Sequence, residues 1–144
     1  MRGAALALLI LASCTPDVPP TTVGSEVYAA TCATCHGPDG QGVNEAFPPL
    51  AASPWVNLPD SLLIRMVLRG LRGPIRVGDS EYNNVMPPHS FLSDEQIAAV
   101  LTFVRGEFGV ADSVSADQVS TERIRHGTGA MWTIGELTGG DVER

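Results

Sequence analysis

The stretch CATCHGPDG, residues 32–40, constrains this chain more than any other feature. Its two cysteines stand three positions apart, which puts them on one face of a helical turn, and His36 follows the second directly. Cys-x-x-Cys-His is the attachment pattern of a c-type haem, in which both cysteines form thioethers and the imidazole binds iron. The sequence therefore predicts one covalent haem c held by Cys32, Cys35 and His36.

Two other interpretations of this motif fit the surrounding sequence less well. A thioredoxin-like redox pair follows a buried strand, and no strong buried strand precedes Cys32. A structural zinc site needs two further ligands at short spacing, whereas His89 and His126 are isolated and far apart. Three cysteines are also an odd number for a disulfide framework. Haem attachment is the favoured prediction.

The N-terminus has the pattern of an export signal that ends in a cysteine. Arg2 precedes a short apolar stretch, and LASC at residues 11–14 resembles the lipobox of bacterial lipoproteins. We expect a signal peptide over 1–13, a lipidated Cys14, and an extended, Pro- and Thr-rich tether over 14–24. The alternative is an ordinary signal peptide with a chance cysteine. Either pattern predicts a periplasmic or other extracytoplasmic location, and lipidation predicts a membrane anchor.

Composition narrows the class of partner. The chain has 144 residues, of which 44% are hydrophobic and 17% charged, as expected for a globular domain. All nine basic residues are arginines and the formal net charge is −7, so a general role in binding nucleic acid is disfavoured because phosphates repel an acidic surface. The expected partners are other proteins.

The second axial position of an iron bound by His36 also needs a ligand or must stay open. Met86 in NNVMPPHS is the preferred ligand, because Pro87 restricts it to extended conformations and the two prolines stiffen the loop. His89 is the second candidate. The remaining candidates lie in a predicted helix or in the C-terminal tail: Met66, Met131 and His126.

Periodicity and capping signals predict the secondary structure around the motif. A helix is expected to start with Asn57 as its cap and to end at Gly70, and a tiny hairpin is expected over 75–82. Ser93 and Gln96 form a predicted capping box for a helix with an apolar stripe. Further short helices are predicted in the tail, from Ser115 to about His126 and from Thr133 to Leu137.

With CATCH, a Met-Pro loop and an apolar last helix, residues 25–109 resemble a class I, monohaem cytochrome c. The resemblance implies an all-α protein with the small cytochrome c fold, in which a short β-hairpin precedes the methionine loop. A C-terminal extension over 110–144 would follow this domain. The resemblance also implies that the Pro48 carbonyl accepts a hydrogen bond from His36, which orients the imidazole, and that Leu50 packs against the haem. The stretches FPPLAASPWV and GPIRVGDSEYNNVMPP further resemble cytochrome domains associated with quinoprotein (PQQ-dependent) dehydrogenases.

Aromatic and basic residues supply further candidates for contact with the haem. Trp55 and Tyr82 are predicted either to pack beside it, with their polar atoms near the propionates, or to be ordinary core aromatics. The chain also carries a local arginine cluster, in which one member, with Arg69 as the candidate, is predicted to bind a propionate while the others dock a partner. A solvated face is the alternative. The cluster consists of Arg65, Arg69, Arg72 and Arg76.

These features predict a single-electron carrier that is not itself an enzyme. It would relay electrons between exported redox proteins, from a donor such as a quinoprotein dehydrogenase to an oxidase or another cytochrome. The alternatives are a peroxidase-like haem enzyme or gas sensor with an open distal site, and a lipoprotein whose haem is structural. No distal Arg/His pair at recognisable spacing supports the enzyme.

Overall fold

A computed structural model describes residues 20–139, which form helices and one small sheet. Cys14, the predicted signal peptide and the first part of the predicted tether lie outside the described residues. The mostly helical architecture with one short hairpin confirms the predicted fold class. The elements are α1 (Pro20–Val27), a π-helical turn (Tyr28–Cys32), α2 (Ala33–His36), a 3-10 turn (Pro54–Asn57), α3 (Asp60–Arg69), β1 (Ile75–Val77), β2 (Ser80–Tyr82), α4 (Asp94–Phe108), α5 (Ala116–His126) and α6 (Ile134–Thr138).

The first helix begins earlier than the sequence predicted. Residues 20–24 are helical and not extended, so the predicted tether was wrong over this part. Pro20 suits the first helical position because an amide hydrogen there has no partner within the helix. Gly24 lies directly against α4, where an added Cβ would stand 2.3 Å from the carbonyl oxygen of Ala99. This close contact makes residues 20–24 part of the folded structure.

The helix after the 3-10 turn begins later than predicted. Asn57 does not cap it; its Oδ1 accepts a hydrogen bond from the amide of Val110, 2.8 Å away. Pro59 occupies the N-cap position of α3, and Gly70 ends the helix as predicted. The predicted cap was therefore wrong, and the Asn57 side chain instead binds the start of the C-terminal extension.

The other local signals are confirmed. β1 and β2 pair in an antiparallel hairpin in which Ile75 lies opposite Tyr82. α4 begins with the predicted capping box of Ser93 and Gln96. The tail forms both predicted short helices, and capping boxes stand at the start of each, Ser115 with Gln118 and Thr133 with Glu136.

The core lies where α3, α4 and α5 meet. Ile64, Leu68, Ile97 and Val119 are fully buried there. Arg105 of α4 is also buried. Its guanidinium donates to the carbonyl oxygens of Val56 and Leu58 and pairs with Asp60, and these contacts hold α4 against the start of α3. A buried charge is tolerated because these groups satisfy it. Between residues 20 and 139, no helix combines the length and the apolar character that crossing a membrane requires.

Candidate haem site

One apolar cavity brings together side chains from most elements of the fold. Its lining includes Cys32, Cys35, His36, Met86 and His89. The rest of the wall is mainly aliphatic, from α3, the hairpin region and α4, and includes Leu63, Val67, Leu71, Val100, Leu101 and Val104. The two thiols, two imidazoles and one thioether of these five residues line one apolar space, and this donor set fits a covalently attached haem and its iron.

His36 is held in a defined orientation. Its Nδ1 lies 2.9 Å from the carbonyl oxygen of Pro48, and because a carbonyl only accepts, Nδ1 carries the proton and donates. This is the contact that the resemblance implied. Burial lowers the pKa of His36, so the ring is neutral near pH 7. Nε2 therefore keeps its lone pair for a metal ion, and the bond to Pro48 fixes the tautomer.

The helix that carries the two cysteines ends at the motif itself. Tyr28 in the π-helical turn donates from its hydroxyl to the carbonyl oxygen of Gly37, 2.6 Å away, which closes the chain over the helix end. Cys32 and Cys35 are free thiols and half-buried. Burial, with the neighbouring Cys35 as a smaller cause, raises the pKa of Cys32 to about 11. Because neither cysteine is in a disulfide, both sulfurs are available to form thioether bonds to a haem.

Two of the five candidates for the second axial position lie in the Met86 loop beside the cavity. Met86 exchanges two backbone hydrogen bonds with Leu71, of 3.0 and 2.9 Å. His89 is buried, its amide donates to the carbonyl oxygen of Val67, and its ring meets Phe91 edge-on. Burial lowers the pKa of His89. Met66 lines the same cavity from α3, whereas Met131 and His126 do not.

Three further residues that were predicted to contact the haem also reach the cavity. Leu50, Trp55 and Tyr82 all line it. The indole Nε1 of Trp55 donates to the carbonyl oxygen of Arg76, 3.0 Å away, so this polar atom serves to attach the hairpin.

A comparison with known proteins decides the family. Residues 22–106, more than half of the chain, match the sequence profile of the family described as cytochrome c. The chain belongs to the cytochrome c family. Its cofactor is accordingly covalently bound haem c with iron, for which Cys32 and Cys35 supply the expected motif. The function at this level is that of an electron carrier, as the sequence predicted.

Individual relatives refine this assignment. The cytochrome is 42% identical over 95 residues to cytochrome c-552 of Thermus thermophilus, and this alignment covers 63% of this chain and 72% of the relative. It is 38% identical over 105 residues to a Gluconobacter oxydans protein named alcohol dehydrogenase (quinone), cytochrome c subunit. That alignment covers 69% of this chain and 22% of the relative. The fructose dehydrogenase cytochrome subunit of Gluconobacter japonicus is 36% identical over 112 residues, an alignment that covers 72% of this chain and 22% of the relative. The chain thus spans under a quarter of either dehydrogenase subunit.

Three of the four arginines in the cluster, Arg65, Arg69 and Arg72, contact the C-terminal extension. Among residues 20–139, no arginine lines the cavity, so the assignment of Arg69 to a propionate is not supported. The Arg69 guanidinium lies 3.7 Å from the ring centroid of Trp132, and its Nε donates to the carbonyl oxygen of Ala130. Arg72 donates to the carbonyl oxygen of Met131. Arg65 Nε lies 2.6 Å from Glu122 Oε2 of α5.

The Arg65–Glu122 pair is therefore expected to stabilise the fold. In a double-mutant cycle of Arg65→Gln and Glu122→Gln, we expect a coupling energy of about 1 kcal/mol in denaturant unfolding, because both groups are largely shielded from water. Arg76→Gln is the matched control, since Arg76 is exposed, and it should leave stability unchanged. If Arg65→Gln instead left stability unchanged and reduced the ionic-strength dependence of electron transfer, the docking prediction would be the correct one.

Proposed function

We propose that this cytochrome carries single electrons with His36 and Met86 as the two axial ligands of its haem. The observation that carries the proposal is that Met86 lines the same cavity as the Cys32, Cys35 and His36 motif while its backbone is tied to Leu71. Bound haem supplies a reversible ferric/ferrous couple, and a neutral thioether ligand favours the ferrous state and so a relatively high potential. A reduced donor protein gives up one electron to the ferric protein, and an acceptor protein then takes that electron.

Met86 is favoured over His89 by how each residue is held. Both backbone polar groups of Met86 are bonded to Leu71, and Pro87 fixes the chain immediately after it, so the thioether projects from a stiff segment. The imidazole of His89 instead packs edge-on against Phe91, at a ring separation of 5.8 Å. If His36 and Met86 both bound the iron, no coordination site would be left open for a substrate, as expected for a carrier and not an enzyme.

Names of relatives support a dehydrogenase as the donor. Two of them are named as cytochrome subunits of a quinone alcohol dehydrogenase and a fructose dehydrogenase. We propose a quinoprotein dehydrogenase as electron donor and an oxidase or another cytochrome as acceptor. Lipidation at Cys14, which lies outside the described residues, would anchor the protein at an extracytoplasmic membrane face such as that of the periplasm. The division between a haem domain that ends at residue 109 and an extension over 110–144 stays a prediction.

Absorption spectra of the matured holoprotein test the ligation. We expect low-spin spectra in both oxidation states and, in the ferric protein, the far-red sulfur-to-iron band, which Met86→Ala should abolish. His89→Ala is the matched control from the same cavity wall and should keep the band. A high-spin ferric protein without the band, or one that readily binds carbon monoxide when reduced, would favour an enzyme or gas sensor with an open distal site.

A further inference from the structure

Leu71 is the middle segment of a small backbone ladder that joins two distant parts of the chain. On one side it exchanges both hydrogen bonds with Met86. On its other side runs Trp132 of the C-terminal extension, whose amide donates to Gly70 at 3.1 Å and whose carbonyl accepts from Arg72 at 2.8 Å. The methionine segment and the extension are therefore neighbours across a single residue.

Trp132 is anchored on its far side as well. Its indole Nε1 donates to the carbonyl oxygen of Arg65, 3.2 Å away, and its ring lies under the guanidinium of Arg69. Its ring also meets the imidazole of His126, at a centroid separation of 6.2 Å. Since Arg65 and Arg69 both belong to α3, these contacts fix the extension to the helix that directly precedes Leu71.

We infer that Trp132 is a positioning residue for Met86, acting through Leu71; this rests on the proposed role of Met86 as an axial ligand. An isolated pair of short extended segments is marginally stable in water, and a third segment is needed to hold it. Trp132 supplies that third segment, so it restrains Leu71 and, through the paired backbone, the segment that carries the thioether.

The two ends of the methionine loop are held differently. After Met86, the amide of His89 donates to Val67 on α3, a contact that does not involve the extension. Before Met86, the side-chain amide of Asn84 donates to the carbonyl oxygen of Ala46, 2.9 Å away, and at Met86 itself the backbone is paired with Leu71. Loosening Trp132 should therefore release Met86 without detaching the rest of the loop.

Ligand exchange in the ferric holoprotein tests this inference. Added imidazole forms a nitrogen-to-iron bond while the Met86 sulfur-to-iron bond breaks, so its apparent affinity rises as the methionine is held less firmly. We expect Trp132→Ala to bind imidazole about fivefold or more tightly than the unmodified protein. Trp132→Phe, which keeps a ring under Arg69 but loses the Nε1 bond, should lie between the two.

Val119→Ala is the control for a general loss of stability. Val119 is fully buried in α5 of the same extension and is no part of the ladder, so its truncation should weaken the fold with little change in imidazole affinity. Equal affinities in Trp132→Ala and the unmodified protein, or an equal rise in Val119→Ala, would overturn the inference. If Trp132→Ala does not fold, the comparison of Trp132→Phe with Val119→Ala decides.

The same experiment separates this inference from the proposed function. If the far-red band is present in the unmodified protein and lost in Met86→Ala, Met86 is the ligand, and the imidazole titrations then judge Trp132 alone. If the unmodified protein lacks the band, the proposed ligation itself has failed, and the inference fails with it.

Discussion

Replacing Gly42 by alanine is expected to lower the free energy of unfolding of the holoprotein by about 2–5 kcal/mol, from backbone strain and overpacking together. Gly42 has a φ of +68°, and an added Cβ would stand 2.4 Å from the carbonyl oxygen of Phe47 and 2.8 Å from that of Pro48. Both are backbone atoms, so the loop itself must move. Because the Pro48 carbonyl holds Nδ1 of His36, the movement also releases the imidazole.

Guanidinium unfolding of the ferric protein, together with the fraction of chains that carry covalent haem, measures this effect. Gly78→Ala is the matched control: its φ is also positive, +59°, but an added Cβ would meet nothing within 4 Å. The control carries the backbone strain alone and should lose about 1–2 kcal/mol. Equal losses in the two variants would show that Gly42 does not position Pro48.

Gly70→Ala is expected to destabilise the protein by a similar amount but to affect Met86, the proposed second axial ligand. Gly70 has a φ of +73°, and an added Cβ would stand 2.3 Å from the carbonyl oxygen of Met86 and 2.9 Å from the carbonyl carbon of Pro87. The methionine segment must move away, which breaks its pairing with Leu71. We expect the far-red band to weaken or disappear while His36 and the covalent haem remain in place.

The spectrum of the ferric variant, recorded beside its unfolding curve, checks this result. Gly78→Ala is again the control, because its φ of +59° is positive, an added Cβ would meet nothing within 4 Å and Gly78 does not line the haem cavity. It should lose some stability and keep the band. A Gly70→Ala protein with an unchanged band would mean that the methionine segment tolerates displacement, contrary to the ligation proposed here.

Sequence reasoning succeeded where the physical cause is local. The haem motif depends on two cysteines and a histidine within five positions, and its spacing alone identified the cofactor. The capping box at Ser93 succeeded for the same reason, because side chain and backbone partner lie three residues apart. The hairpin over 75–82 followed from a turn flanked by alternating residues.

Sequence reasoning was less successful for Asn57 and Arg69, because each side chain has more than one possible partner. Asn57 is a good capping residue, yet it binds Val110, 53 positions away. Arg69 is a reasonable propionate ligand, yet its guanidinium lies over Trp132 and binds Ala130, 61 positions away. These long-range contacts of Asn57, Arg69 and Trp132 correspond to no local pattern in the sequence.

The sequence by itself determined the cofactor, the attachment motif and most helix boundaries, because short-range geometry decides them. Only the tertiary structure decided which groups surround His36 and Met86. It places Gly42 and Gly70 against the carbonyls of Pro48 and Met86, and it brings Arg65, Arg69 and Arg72 into contact with the extension. The physical reason is that a hydrogen bond or a close contact selects its partner by position in space. Positions in space follow from the packing of the whole chain.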